Sequence, residues 1–115
     1  MGSPMRTVNL EIEMPSVHEA RSWLSEDIAA ARRDRVRVMK IIHGYGSSGR
    51  GGVLRLELRK SLAQMQKTGR IRAFIIGEEW DLVTATLKQF FEKCPELRQD
   101  SDLGKANRGI TLILL

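Results

Sequence analysis

Several features that would point to particular protein classes are rare or missing in this chain of 115 residues. It has one cysteine, Cys94, so it can form no internal disulfide and no thiolate metal site, and a buried or incidental thiol is the simplest interpretation. No apolar run approaches the length of a membrane-spanning helix, and the N-terminus lacks the pattern of a signal peptide. These absences predict a cytoplasmic protein without a membrane partner.

The length is enough for one domain with its own core and too short for two. The opening Met-Gly-Ser-Pro looks like a remnant of expression, with Met5 as the natural start. We therefore treat residues 1–5 as outside the fold and expect residues 6–115 to form a single domain.

Acidic residues are scarce in the first part of the chain. Through Arg72 there are 14 Lys and Arg against 7 Asp and Glu, whereas from Ala73 onward there are 5 against 7. The net charge of +5 is therefore concentrated in the first part. A basic surface attracts polyanions through phosphate contacts and counterion release, so nucleic acid is the natural partner. The alternative is a basic surface that serves only solubility.

Apolar periodicity predicts alternating strands and helices. Thr7–Glu13 alternates like a strand with one buried face, and Ser16 with Glu19 forms a capping box that begins the first helix. A strand, a helix and a second strand in succession imply a parallel pair. The further predicted elements are a helix to about residue 32, a strand over 35–43, a helix from near 53 to 69, a strand over 71–76, a helix over 80–93 and a strand over 110–115.

Half of the ten glycines lie in one loop, residues 43–52, between a predicted strand and a predicted helix. Glycine lets the backbone approach a ligand closely, and the N–H groups of a helix N-terminus favour an anion. Arg55 and Arg59, one helical turn apart, would extend this phosphate site along the helix, and the loop tyrosine could stack on a base or cover apolar surface. The predicted phosphate-binding loop residues are Gly44, Tyr45, Gly46, Ser47, Ser48, Gly49, Arg50, Gly51 and Gly52.

The loop also matches the dinucleotide-binding fingerprint, at Gly44, Gly46 and Gly49. The match lacks the required context. The fingerprint follows the first strand of its fold and is followed about 20 positions later by an acidic residue, whereas this loop comes after the second predicted strand. No Gly-Lys-Ser/Thr phosphate loop for ATP is present either. A small nucleotide or phosphometabolite is therefore the weakest of the ligand hypotheses.

The sequence His43-Gly44-Tyr45-Gly46 after an apolar strand, with a basic leucine-rich helix behind it, resembles the His-Gly-x-Gly motif of the Smr (small MutS-related) domain family. The start of the first helix and the closing Gly109-Ile110-Thr111 strand are also similar to that family. The resemblance implies a two-layer α/β sandwich of order βαβαβ(α)β with a mixed four-stranded sheet, similar to the C-terminal domain of translation initiation factor three. A helix at about residues 80–94 is an addition before the last strand.

The resemblance implies DNA or RNA binding, and several Smr domains are nicking endonucleases. Their activity depends on the His-Gly-x-Gly loop and on a Leu-Asp-x-His motif in the first strand, where this chain has Leu10-Glu11-Ile12-Glu13. The catalytic candidates are thus His43, Glu11 and Glu13. If they share one strand face, the two glutamates could hold Mg²⁺ or Mn²⁺, a cofactor needed only for cleavage. The alternatives are solvated glutamates and a histidine that contacts phosphate or shapes the loop.

A hypothesis from another class is a protein-interaction module without catalysis. In that case the added helix from Trp80 to Lys93 would supply the working surface, with Phe91 presented to a partner chain, and the glycine loop would be vestigial.

Overall fold

The chain forms a four-stranded sheet with helices on both of its faces. A computed structural model describes residues 5–13, 15–44, 50–81 and 84–115, without the side chains of residues 50 and 51. The strands are β1 (Met5–Asn9), β2 (Val38–Ile42), β3 (Ala73–Ile76) and β4 (Ile110–Leu114). The helices are α1 (Val17–Arg33), α2 (Arg50–Lys67) and α3 (Ala85–Lys93), and two 3₁₀ helices span Gly77–Glu79 and Pro95–Gln99. Met5, which was predicted to lie outside the fold, is the first residue of β1.

The strand order in the sheet is β1-β2-β4-β3. The predicted parallel pair is confirmed, since β1 and β2 run parallel on either side of α1 in the sequence. β4 lies antiparallel between β2 and β3, with Ile110 opposite Ile42 and Thr111 opposite Ile76. The last residues of β1, β2 and β3 and the first residues of β4 therefore meet at one end of the sheet, which we call the loop end.

α1 begins as its sequence predicts. The Ser16 hydroxyl accepts from the Glu19 N–H at 3.1 Å, and the Glu19 carboxylate accepts from the Ser16 N–H at 3.0 Å. Such a box satisfies backbone donors that have no partner within the helix. The apolar stripe of Ala20, Leu24, Ile28 and Ala31 is fully buried.

Alternate side chains of the strands pack into two separate hydrophobic cores, one on each face of the sheet. On one face, Met39 and Ile41 of β2 pack with the buried stripes of α1 and α2. On the other face, Val38 of β2 and Leu112 of β4 pack with the residues that follow β3. Those residues come from α3 and the second 3₁₀ helix and include Leu87, Phe90 and Leu97. α3 thus covers the sheet face opposite to α1 and α2. Within the described residues, no helix is long and apolar enough to cross a membrane.

β1 is shorter than predicted. Its predicted extension to Glu13 is wrong, because the Asn9 side-chain oxygen accepts from the N–H groups of Glu11 at 2.9 Å and Ile12 at 3.2 Å. A local turn of this kind takes backbone donors away from a sheet ladder. Only Leu10 continues toward β2, by donating to the Ile42 carbonyl at 2.8 Å.

The helix predicted over Trp80–Lys93 begins later than expected. Trp80 is fully buried after the first 3₁₀ helix, and residues 82 and 83 lie outside the described ranges. α3 begins at Ala85, where the Thr84 hydroxyl caps it by accepting from the Leu87 N–H at 3.1 Å. α2 differs in the other direction, because it begins at Arg50 and not near Val53.

Candidate functional site

His43 follows β2 at the loop end of the sheet, and its side chain is almost completely buried, at 1% exposure. Its ring Nδ1 lies 2.7 Å from the Gly44 carbonyl oxygen, and its Nε2 lies 2.9 Å from the Thr111 hydroxyl. The backbone N–H groups of His43 and Gly44 both donate to the Gly109 carbonyl, at 2.9 and 3.1 Å. The histidine therefore joins the start of the glycine loop to the start of β4.

These contacts determine the proton position on the His43 ring. A carbonyl oxygen only accepts, so Nδ1 donates to Gly44, and in the neutral ring Nε2 accepts from the Thr111 hydroxyl. Burial, with the nearby charge of Arg59, lowers the pKa of His43 from 6.5 to about 4 despite its bond to Gly44. At neutral pH the ring is uncharged, and both of its nitrogens are engaged within the protein.

Arg59 is held inside a network, with only 13% of its side chain exposed. Its guanidinium donates to both carboxylate oxygens of Glu78, at 2.7 and 2.9 Å, and its Nε donates to Thr111 at 3.1 Å. A further bond at 3.1 Å reaches the Ile110 carbonyl. Burial raises the pKa of Glu78, but the hydrogen bonds from Arg59 outweigh that effect and keep it below its usual value. Arg59 was predicted to contact phosphate, yet its guanidinium is committed to Glu78 and β4.

Arg55 lies one helical turn before Arg59 and has a different environment. Its Nε is buried without a hydrogen-bond partner among the described residues, and it forms no ion pair with them. Burial is the main reason for the low pKa of His43, and the charge of Arg55 makes a smaller contribution in the same direction. The same charge also contributes to the lowered pKa of Glu78. Arg55 is therefore a cation whose charge acts on Glu78 but which forms no ion pair with a described residue.

Gly44 and Glu11 lie in direct contact. Gly44 has φ of +79°, a left-handed conformation that favours glycine, and a Cβ built there would overlap Glu11 Oε2 and lie 2.9 Å from Glu11 Cδ. The structure thus brings Glu11 beside the His-Gly pair, as its position in the predicted motif implies. Its catalytic role stays a prediction.

Glu13 faces a groove that Glu11 does not line. It lines a groove of about 280 Å³ between the end of β1 and α1, together with Trp23 and Asp27. Neither Glu11 nor Glu13 belongs to β1, so the predicted sharing of one strand face is wrong. The part of the chain that the structure describes holds no group of three or more His, Cys, Asp or Glu suited to a metal ion. These residues do not fit the Mg²⁺ or Mn²⁺ site considered from the sequence.

The rest of the predicted loop divides into two parts. The first part, Tyr45, Gly46, Ser47, Ser48 and Gly49, lies outside the described residues. The second part, Arg50, Gly51 and Gly52, forms the first turn of α2, so its predicted assignment to the loop is wrong. The helix N-terminus is therefore closer to His43 in sequence than we expected.

Two residues of the network were not predicted as site residues. Thr111 is 1% exposed. Its hydroxyl accepts a hydrogen bond from Arg59 Nε and is also hydrogen-bonded to His43 Nε2. A threonine in an otherwise apolar strand was the signal that could have identified it. Glu78 carried no such signal, because only the folded chain brings it to Arg59, 19 residues earlier.

The fold and this site define a class of protein: an α/β domain in which a His-Gly pair after β2 is hydrogen-bonded to the start of β4. The family model described as the Smr domain matches residues 12–81, more than half of the chain. The chain therefore belongs to the Smr domain family, and the predicted resemblance is confirmed.

A solved structure supports the same fold. The chain is similar to the Smr domain of Thermus thermophilus MutS2, with a TM-score of 0.58, 19% identity and 96% of each chain covered. The predicted mixed four-stranded α/β fold is confirmed by this likeness. No curated protein matches the chain in sequence.

Proposed function

We propose that this domain binds the phosphate backbone of DNA or RNA at the loop end of its sheet. The observation that carries the proposal is Arg55, whose buried Nε has no partner among the described residues and whose charge reaches His43. An arginine held in this way gains hydrogen bonds and charge compensation when a phosphate oxygen arrives. Membership of a family that generally binds nucleic acid supports the same conclusion.

The surroundings of Arg55 favour an anion. The first turn of α2 contains no acidic side chain, so no carboxylate on the helix competes for its free N–H groups. The helix lies in the basic part of the chain, where Lys and Arg outnumber Asp and Glu by 14 to 7. Long-range attraction and local binding therefore act on the same partner.

His43 and Arg59 have another role in this proposal. The neutral, doubly bonded His43 ring and the Arg59–Glu78 pair hold β4 against the start of the glycine loop. They position the loop, whereas Arg55 contacts the ligand. Because the contact is made to the backbone of the nucleic acid, we expect little dependence on base sequence.

Replacing Arg55 with alanine should weaken nucleic-acid binding about tenfold at low salt, as expected for the loss of a charge-assisted hydrogen bond. The slope of log K against log [salt] should also become less steep by about 1, because one phosphate contact is removed. Fluorescence anisotropy with a labelled duplex DNA and a labelled RNA, each over a salt series, measures both quantities.

Arg33→Ala is the matched control for Arg55→Ala. Arg33 is exposed at the C-terminus of α1, away from the loop end, and its replacement removes the same charge. Equal effects of the two substitutions would mean that only net charge matters. Binding that is absent, or that does not respond to salt, would overturn the proposed function itself.

Binding without cleavage is what the described residues support. His43 is neutral at pH 7 and has no free nitrogen, and Glu13 stands where the family motif has histidine. General acid catalysis needs a proton donor whose pKa is near the working pH. We therefore expect supercoiled DNA and structured RNA to stay uncut, with or without Mg²⁺ or Mn²⁺. Nicking that disappears in both Glu11→Gln and His43→Ala would contradict this expectation, whereas nicking that survives both indicates a contaminating nuclease.

The packing of α3 argues against the interaction-module hypothesis. Leu87 and Phe90 are buried in the second core, and the half-buried Phe91 is covered by the Arg98 guanidinium, 4.7 Å from its ring centre. The apolar side of this helix is therefore used within the chain. A stable complex with another protein that nucleic acid does not displace would favour that hypothesis again.

A further inference from the structure

The segment between the second 3₁₀ helix and β4, residues 100–109, lies beside the start of the glycine loop. Its last residue, Gly109, accepts hydrogen bonds from the backbone of both His43 and Gly44. The Asn107 side-chain oxygen in turn accepts from the Gly109 N–H at 2.8 Å. We call this segment the β4 entry loop. Its position relative to His43 is fixed by backbone hydrogen bonds.

Lys40 holds the other end of the β4 entry loop through ion pairs. This lysine lies on β2 with only 7% of its surface exposed, 5.6 Å from the centre of the Trp80 ring. Its ammonium group forms ion pairs with Asp100, at 2.9 Å, and with Asp102. The Asn107 amide also donates to Asp102, at 3.1 Å. A buried lysine thus neutralises carboxylates of a loop that would otherwise repel an anion.

Residues of the β4 entry loop line an open surface cavity of about 390 Å³. The residues that line it are Asp102, Lys105, Ala106, Asn107 and Arg108. Hydrogen bonding to Lys40 is the main reason that the pKa of Asp102 lies below its usual value, so this carboxylate is a committed partner of Lys40. Lys105 and Arg108 are both exposed, and neither forms an ion pair with any residue that the structure describes. The cavity therefore presents two cations that form no ion pair with the described residues. They lie beside the Asp102 carboxylate, which is paired with Lys40 and whose pKa the charge of Lys105 also lowers.

We propose that the cavity of the β4 entry loop is a second phosphate site, in which Lys105 and Arg108 contact the same nucleic acid that Arg55 contacts. The inference rests on the proposed function and extends it, because it gives the ligand a path across the loop end. Arg55 lies on α2, whereas the cavity is lined by residues that precede β4 and that are joined to the His-Gly pair through Gly109. A ligand that reaches both has to be an extended polyanion, which a nucleic-acid strand is and a single phosphate is not.

The test is a double substitution, Lys105→Ala with Arg108→Ala, in the full chain. The slope of log K against log [salt] for a labelled duplex DNA should become less steep by about 1.8, and by about 1.4 for a single strand, since two phosphate contacts are lost. Inorganic phosphate at the same total charge should compete poorly with the labelled duplex. Both side chains are exposed, and circular dichroism of the variant verifies that it is folded.

The matched control removes one lysine and one arginine elsewhere. Arg33 and Lys67 are exposed residues at the C-terminal ends of α1 and α2, and Arg33→Ala with Lys67→Ala makes the same change in net charge. If the two double variants bind alike while Arg55→Ala still weakens binding, the second site is overturned and the proposed function stands. If the unchanged protein shows no salt-dependent binding, both are overturned.

Discussion

Gly77→Ala should lower the free energy of unfolding by about 3 kcal/mol or more, the upper part of the range for overpacked interiors. A Cβ built on Gly77 would overlap the Asn107 carbonyl oxygen and lie 2.6 Å from Ile110 Cγ1 and 2.9 Å from the Ile110 carbonyl oxygen. Two of these atoms belong to the backbone that leads into β4, so a rotamer change cannot relieve the contact. Urea unfolding followed by circular dichroism measures the loss, and the melting temperature should fall by roughly 10 °C.

Gly69→Ala is the control that separates crowding from backbone conformation. Gly69 follows α2 with φ of +81°, and nothing lies within 4 Å of the site of its Cβ. The expected loss is about 1 kcal/mol, the cost of a left-handed conformation for a residue with a side chain. Similar losses for the two variants would show that contact with the Asn107 and Ile110 backbone does not matter at Gly77.

Acidification from pH 7 toward pH 4 should destabilise the domain by about 3 kcal/mol through His43 alone. Its pKa is about 4 in the folded chain and 6.5 in an unfolded one, so between these values the unfolded state binds more protons. The stability that His43 contributes is therefore complete above pH 6.5 and is lost as the pH falls toward 4. Urea unfolding at intervals across this range measures the slope.

His43→Gln should give a flatter pH profile between pH 6.5 and 4.5 than the unchanged protein. Other groups with shifted pKa values, such as Glu78 and Asp102, are common to both proteins, so the difference isolates His43. If the variant does not fold, ¹⁵N NMR of the unchanged protein reports the same property directly. A His43 ring that titrates near pH 6.5, or that carries its proton on Nε2 at pH 7, would contradict the geometry described above.

Much of the fold could be predicted because its signals are local. The capping box of Ser16 and Glu19 and the apolar stripe behind it need only residues within α1. β4 is apolar apart from Thr111 and is buried on both faces, and its run of apolar residues predicts this burial directly. The end of β1 was missed, because the preference of the Asn9 side chain for its neighbours' N–H groups outweighs the apolar alternation.

The site could be predicted only in part, because the roles of its arginines are decided by distant residues. Arg55 and Arg59 share a face of α2, and nothing in the helix distinguishes them. Glu78, beyond β3, accepts hydrogen bonds from the Arg59 guanidinium, whereas the buried Nε of Arg55 has no hydrogen-bond partner among the described residues. Lys40 was equally hidden, since a single lysine in a strand does not reveal the aspartates that follow 60 residues later.

The central position of β4 has a consequence for how the domain folds. β1 with β2 forms one half of the sheet and β3 forms the other half, and among the described residues the backbone ladder joins these halves through β4. Contacts such as His43 to Thr111 close a chain segment of 68 residues, and such long-range closures slow the search for the native state. β4 also carries the partners of His43 and Arg59, so a chain in which β4 is unpaired would lack the contacts that position the start of the glycine loop.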